Sequence, residues 1–81
     1  MTPDALRDTI LQALRSIAPE IDPLALAADA DVREALDLDS MDVLRFANAL
    51  HDKLGVDIPE SDYMRIVKLA DCIEYLRTRV A

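Results

Sequence analysis

Five residues, Leu38-Asp39-Ser40-Met41-Asp42, constrain this chain more than any other stretch, because an acidic, proline-interrupted connection ends there and an amphipathic helix begins. Asp39 can cap that helix with its side chain, Ser40 then takes the first helical position, and Asp42 falls three residues past the cap. Val43, Phe46, Ala47, Leu50 and Leu54 follow at helical steps, which places them on one face. Lys53 suits the negative end of the helix dipole and Gly55 is a stop signal, so a helix is predicted over Ser40–Leu54. A serine hydroxyl therefore stands at a helix N-terminus among carboxylates, with no neighbouring base to make it a nucleophile in its own right. That setting suits a serine that something else modifies, although serines at helix starts are very common without any such role.

The rest of the chain reads as further helices. Thr2-Pro3-Asp4 supplies a cap, a proline at the first helical position and an acid in the first turn. Leu6, Ile10, Ala13, Leu14 and Ile17 give an apolar stripe to about Ala18, and Pro19 ends it. Residues 19–38 are long for a connection between helices, and Pro19, Pro23 and scattered acids argue against one regular helix there. Ile21, Leu24, Leu26, Val32 and Leu36 are candidates to pin this crossover onto the core, with turns of helix over 25–30 and 32–36. Val56-Asp57-Ile58-Pro59 is predicted extended, since Pro59 disfavours helix at Ile58. Residues 60–66 make a short helix with Glu60 and Asp62 in its first turn. Leu69, Cys72, Ile73, Leu76 and Val80 then form the stripe of a last helix, with Arg77 and Arg79 at its C-terminal end. The expected fold is an all-α four-helix bundle in one domain over residues 1–81, with three longer helices, a short third one and a long first loop.

Composition narrows the function. Hydrophobic residues make up 52% but aromatic residues only 4%, a helical profile, and 81 residues can bury only a modest core. A net charge of −7 argues against nucleic acid or an anionic membrane as ligand. Residues 1–38 carry eight acids and three bases, so most of the excess precedes the serine, in Glu20, Asp22, Asp29, Asp31, Glu34 and Asp37. A partner with a basic face would explain that surface, and so would solubility alone. One cysteine, Cys72, leaves no internal disulfide and points to a reducing compartment. No apolar run approaches spanning length and Met1-Thr2-Pro3-Asp4 lacks the regions of a signal peptide, so a cytoplasmic location without membrane insertion is expected.

Other chemistry finds little support. Asp29, Asp31 and Arg33 suggest a calcium loop only until the missing glycine and terminal glutamate are noted. His51 has no ligand set around it, so no metal site is expected, and a solvated or helix-face histidine is the simpler reading. Cys72 lies on the apolar stripe of the last helix and reads as core. Ser40 and His51 cannot form a catalytic pair, since eleven residues of helix span roughly 16 Å. No catalytic residues are assigned.

Leu38-Asp39-Ser40-Met41-Asp42 at the head of a helix after a long crossover, followed by Gly55-Val56-Asp57-Ile58-Pro59, a short helix and a final amphipathic helix, resembles the acyl carrier protein family. The resemblance covers nearly the whole chain. It implies that Ser40 carries a 4′-phosphopantetheine arm, attached from coenzyme A by a separate phosphopantetheinyl transferase with Mg²⁺. Asp39 would then serve both as helix cap and in transferase recognition. It also implies a monomer that catalyses nothing and delivers acyl thioesters between acyl-loading and acyl-processing enzymes of fatty-acid, polyketide or related lipid synthesis. Partner contacts are expected at Met41, Asp42, Arg45, Asn48 and Asp52. Leu44, Phe46, Leu50, Ile58, Tyr63, Ile66, Leu69, Ile73 and Leu76 are either plain core or the lining of a bundle that opens to shelter the acyl chain.

Three departures from the family pattern stand out. Asp37 occupies a position where glycine is frequent, so the loop is expected to turn differently or to aid transferase recognition. The second long helix sets Arg45, Asn48, His51 and Lys53 against Asp42 and Asp52, where carriers of fatty-acid synthesis tend to be strongly acidic. That points to a carrier dedicated to a specialised pathway. Lys68 stands where a serine or threonine cap is usual, so a frayed or shifted start of the last helix is expected, with the surrounding region the most mobile part. The alternatives are a peptidyl, aryl or D-alanyl carrier, or an unmodified helical adaptor binding a basic partner.

Overall fold

The computed structural model describes residues 2–20, 22 and 26–80. Helix α1 (Pro3–Arg15) starts as expected, with the Thr2 hydroxyl accepting from the Ala5 N–H at 3.1 Å and Pro3 at the first helical position. It ends three residues earlier than the apolar stripe suggested. Ser16 caps it, and Ile17 and Ala18 wind down in a tighter turn whose N–H groups both reach the Leu14 carbonyl. Ala18 is still buried, so the stripe continued while the helix did not.

The crossover contains one turn of helix, α2 (Val32–Ala35), whose Asp31 cap accepts from the Arg33 N–H at 2.9 Å. Ahead of it, Ala27 to Ala30 make a turn rather than a helix, closed by the Ala30 N–H on the Ala27 carbonyl at 3.0 Å. Leu26 and Val32 are buried and Leu36 half-buried, as their anchoring role requires; Ile21, Leu24 and Ala25 lie outside the described residues. Helix α3 (Ser40–Leu54) has the bounds its caps dictate, closing on Gly55 in the left-handed region at φ 68°. The short helix is a 3₁₀ helix over Glu60–Arg65, and α4 (Leu69–Arg77) follows. No strand occurs among the described residues, and the fold is the all-helical bundle with a long first loop that the periodicity implied.

Helix α1 packs against both α3 and α4, and the 3₁₀ helix leans on α3 and α4. Their shared core is built from Leu6, Ile10 and Leu14 of α1, Phe46 and Leu50 of α3, and Leu69 and Leu76 of α4, all withdrawn from solvent. Helix α4 turns a slightly different face inward than its aliphatic stripe suggested. Tyr75 is buried while Ile73 is only half-buried. The Tyr75 hydroxyl donates to Asp62 Oδ2 at 2.7 Å, and the Arg79 and Arg65 guanidinium carbons stand 3.7 and 5.0 Å from its ring centroid. A polar partner and two cations on the ring let a phenol sit where an aliphatic residue would otherwise be needed.

The start of α4 corrects the expectation of fraying. Lys68 offers no side-chain cap, but the Leu69 N–H donates to the Ala30 carbonyl at 3.3 Å and the Ala70 N–H to the Ala28 carbonyl at 2.7 Å. The Val32 N–H donates in turn to the Val67 carbonyl at 2.7 Å, and Asp31 and Lys68 form an isolated antiparallel bridge. Crossover backbone therefore supplies the acceptors that a serine or threonine would have supplied. The start of α4 is tied down.

Candidate functional site

The N-terminus of α3 is closed by a complete capping box. Asp39 Oδ1 accepts from the Asp42 N–H at 2.9 Å, and Asp42 Oδ2 accepts from the Asp39 N–H at 3.3 Å. This reciprocal pair fixes the first turn and leaves Ser40, at its first position, exposed to solvent. Among the described residues no partner holds its hydroxyl. The approach to the turn is equally defined. Asp37 sits at φ 55°, and the Leu38 N–H reaches back to the Arg33 carbonyl at 2.9 Å, the six-to-one bond of a Schellman ending to α2. Asp37 thus takes the left-handed conformation that glycine adopts without steric cost, and the loop turns through an aspartate instead.

Ser40 opens onto a cleft of about 510 Å³ between the head of α3 and the 3₁₀ helix. Val43 and Leu44 of α3, Tyr63 and Met64 of the 3₁₀ helix, and Leu38 and Val67 make up its apolar lining with Met41. Arg33, Asp39 and Glu60 are its charged lining. Met41 and Met64, 55% and 64% exposed, are the large hydrophobic side chains left open to solvent among the described residues, and both border this cleft. Arg33 is held side-on by Asp31, with Nε to Oδ1 at 3.2 Å and Nη2 to Oδ2 at 2.8 Å, while Nη1 lies 3.5 Å from Met64 Sδ. That guanidinium holds the Asp31 carboxyl below the usual carboxylate range. Nothing in the sequence marked Arg33 as part of this site, because its place in the cleft lining depends on how the crossover folds back.

The remaining candidate residues divide. Met41, Arg45, Asn48 and Asp52 form one exposed stripe along α3. Asp42 does not join it freely, since its carboxylate is engaged in the capping box and by Arg45 Nη1 at 3.3 Å. Of the residues considered for an acyl-chain lining, Leu44 and Tyr63 face the cleft, whereas Phe46, Leu50, Ile66, Leu69 and Leu76 belong to the closed core and Ile58 and Ile73 pack half-buried on it. His51 Nδ1 lies 3.2 Å from both the Val56 carbonyl and Asp57 Oδ1, so the half-exposed ring fastens the end of α3. Burial pushes the Cys72 thiol up to about 12, which keeps it protonated and unreactive. Among the described residues no group of three or more histidine, cysteine or acidic side chains could hold a metal ion, and no helix is long and apolar enough to cross a membrane.

Comparison with known proteins covers most of the chain. Residues 8–76 fit the family described as phosphopantetheine attachment site. The acyl carrier protein of Campylobacter hominis is 32% identical over 73 residues, covering 90% of this chain and 86% of that one. The acyl carrier protein of Campylobacter curvus is 30% identical over 73 residues, 90% of this chain and 88% of its own. The chain belongs to the acyl carrier protein family. Members are carriers rather than catalysts, and their working group is phosphopantetheine. The residues present fit such a group. The hydroxyl is unshielded, the helix end offers the positive pole of its dipole to a phosphate, and apolar walls beside it suit a long, flexible arm.

Proposed function

We propose that Ser40 is the attachment point of a 4′-phosphopantetheine arm and that this acyl carrier protein passes acyl thioesters between loading and processing enzymes of one dedicated lipid-type or polyketide-type pathway. The observation that supports the attachment site is the position of Ser40, exposed at the head of a capped helix and in the lining of the cleft. When bound, the arm supplies the thiol that holds the acyl group. The chain's own residues do the rest. Asp39 and Asp42 hold the turn rigid, Ser40 presents its oxygen to a transferase, and Val43, Leu44 and Tyr63 shield what lies beside them from water.

The dedicated pathway is supported by the exposed stripe of α3. Met41, Arg45, Asn48 and Asp52 present one cation and one anion, so the stripe is neutral overall and gives a uniformly basic enzyme patch little to attract. Partners matched to it carry an apolar notch for Met41 and an acid facing Arg45. The protein acts as a monomer in the cytoplasm, using transient contacts.

Intact mass before and after incubation with coenzyme A, Mg²⁺ and a broad-specificity phosphopantetheinyl transferase tests the attachment site. One added phosphopantetheine is expected on the wild-type chain and none on Ser40→Ala. No addition to the wild type, under conditions that load another carrier, overturns the assignment and favours an adaptor that uses the acidic crossover.

A further inference from the structure

The site around Ser40 is poor in positive charge. Asp39 and Glu60 line the cleft, Asp37 and Asp42 flank the turn, and the Asp42 N–H is already committed to Asp39. A phosphodiester on Ser40 would add one more negative charge to this group. Among the described residues that line the cleft, Arg33 is the only cation.

Its guanidinium is only partly used. Asp31 takes Nε and one hydrogen of Nη2, and the Nη1 edge meets only the weak sulfur acceptor of Met64 at 3.5 Å. At least one hydrogen on each Nη nitrogen is left without a protein acceptor among the described residues. The fork is also held in place. Asp31 accepts from the Arg33 backbone N–H as well as from its side chain, and the neighbouring Val32 N–H is bonded to Val67. Because the Asp31–Arg33 pair is neutral as a whole, any pull on an anion comes from the unshared donors, and a planar fork fixed in advance loses little entropy in making such bonds.

We infer that Arg33 is a positioning residue for the arm, its unshared Nη hydrogens donating to a non-bridging oxygen of the phosphodiester at Ser40. The arm is thereby led into the cleft toward the 3₁₀ helix instead of outward along α3. This inference rests on the assignment of Ser40 as the attachment site.

The test compares the arm-loaded wild-type chain with Arg33→Met and Arg33→Lys, each checked by intact mass. Absence of the mass gain in the wild type overturns the Ser40 assignment, whereas a full gain leaves Arg33 to be judged alone. Two signals are then read by nuclear magnetic resonance, the ³¹P line of the phosphodiester and the Arg33 Nε–H resonance, with Arg45 as an exposed control. Arm loading is expected to shift the Arg33 resonance more than that of Arg45. The ³¹P line is expected to move in Arg33→Met and to return part of the way in Arg33→Lys. A purely structural role of Arg33 would leave that line unchanged in variants whose backbone spectra match the wild type. An unmoved ³¹P line, together with an Arg33 resonance indifferent to loading, overturns the inference. If Arg33→Met fails to fold, the wild-type Arg33 resonance and the Arg33→Lys line decide by the same criteria.

Discussion

Asp37 shows how much a single backbone angle decides near the site. At φ 55° it follows α2 and sets the direction in which Leu38 and Asp39 enter α3. Aspartate is among the few residues besides glycine that visit this region, because its short side chain bonds locally. A β-branched residue there should be costly: Asp37→Val is expected to lower unfolding free energy by about 1–2 kcal/mol. Asp37→Gly relieves the steric cost but loosens the unfolded chain, so its change should stay within about 0.5 kcal/mol of zero. Urea titration of the variants measures both. A stability loss in Asp37→Gly as large as in Asp37→Val would mean that the carboxylate, rather than the angle, holds the turn.

At the level of elements, the crossover and α4 act as one unit. The first two N–H groups of α4 end on Ala30 and Ala28, and Val32 donates back to Val67, so neither segment can open without exposing the other's backbone groups. Amide hydrogen exchange at Val32, Leu69 and Ala70 is therefore expected to be slow and to report a common opening. Exchange at Leu69 and Ala70 much faster than in the middle of α1 would show the tie to be broken in solution. The 3₁₀ helix differs. It has no buried residue of its own and no side-chain cap, so it rests on α3 and α4 by partly covered side chains such as Tyr63. A cleft wall built this way can shift at lower cost than α3 or α4.

Taken as a whole, the molecule has a small, closed core with a cleft outside it. Stability at the usual roughly 0.05–0.15 kcal/mol per residue leaves a chain of 81 residues about 4–12 kcal/mol to lose. Phe46→Ala, at a fully buried position, is expected to cost about 3–5 kcal/mol and to leave a large unfolded fraction. Leu44→Ala, on the cleft wall, should cost well under half of that, since water already reaches part of the side chain. Urea midpoints of the two variants separate the core from the cleft. Equal losses would mean that Leu44 is part of the core in solution.

What the sequence by itself determined is local in origin. The bounds of α3, its capping box, the exposure of Ser40 at its first position and the start of α1 all follow from residues within four positions of one another, where side-chain identity and helical period are enough. Fold class was legible for the same reason, since few strand formers compete with those periods. The tertiary structure decided what depends on distant groups meeting. Lys68 looked like a missing cap until crossover carbonyls arrived to replace it, and Tyr75 could be buried only because Asp62, Arg65 and Arg79 converge on it. Arg33 lines the same cleft as Ser40, held there by Asp31 on one side and Met64 on the other. Long-range hydrogen bonds of this kind satisfy buried or half-buried polar groups wherever the fold brings a partner, and no spacing along the chain announces which partner that will be.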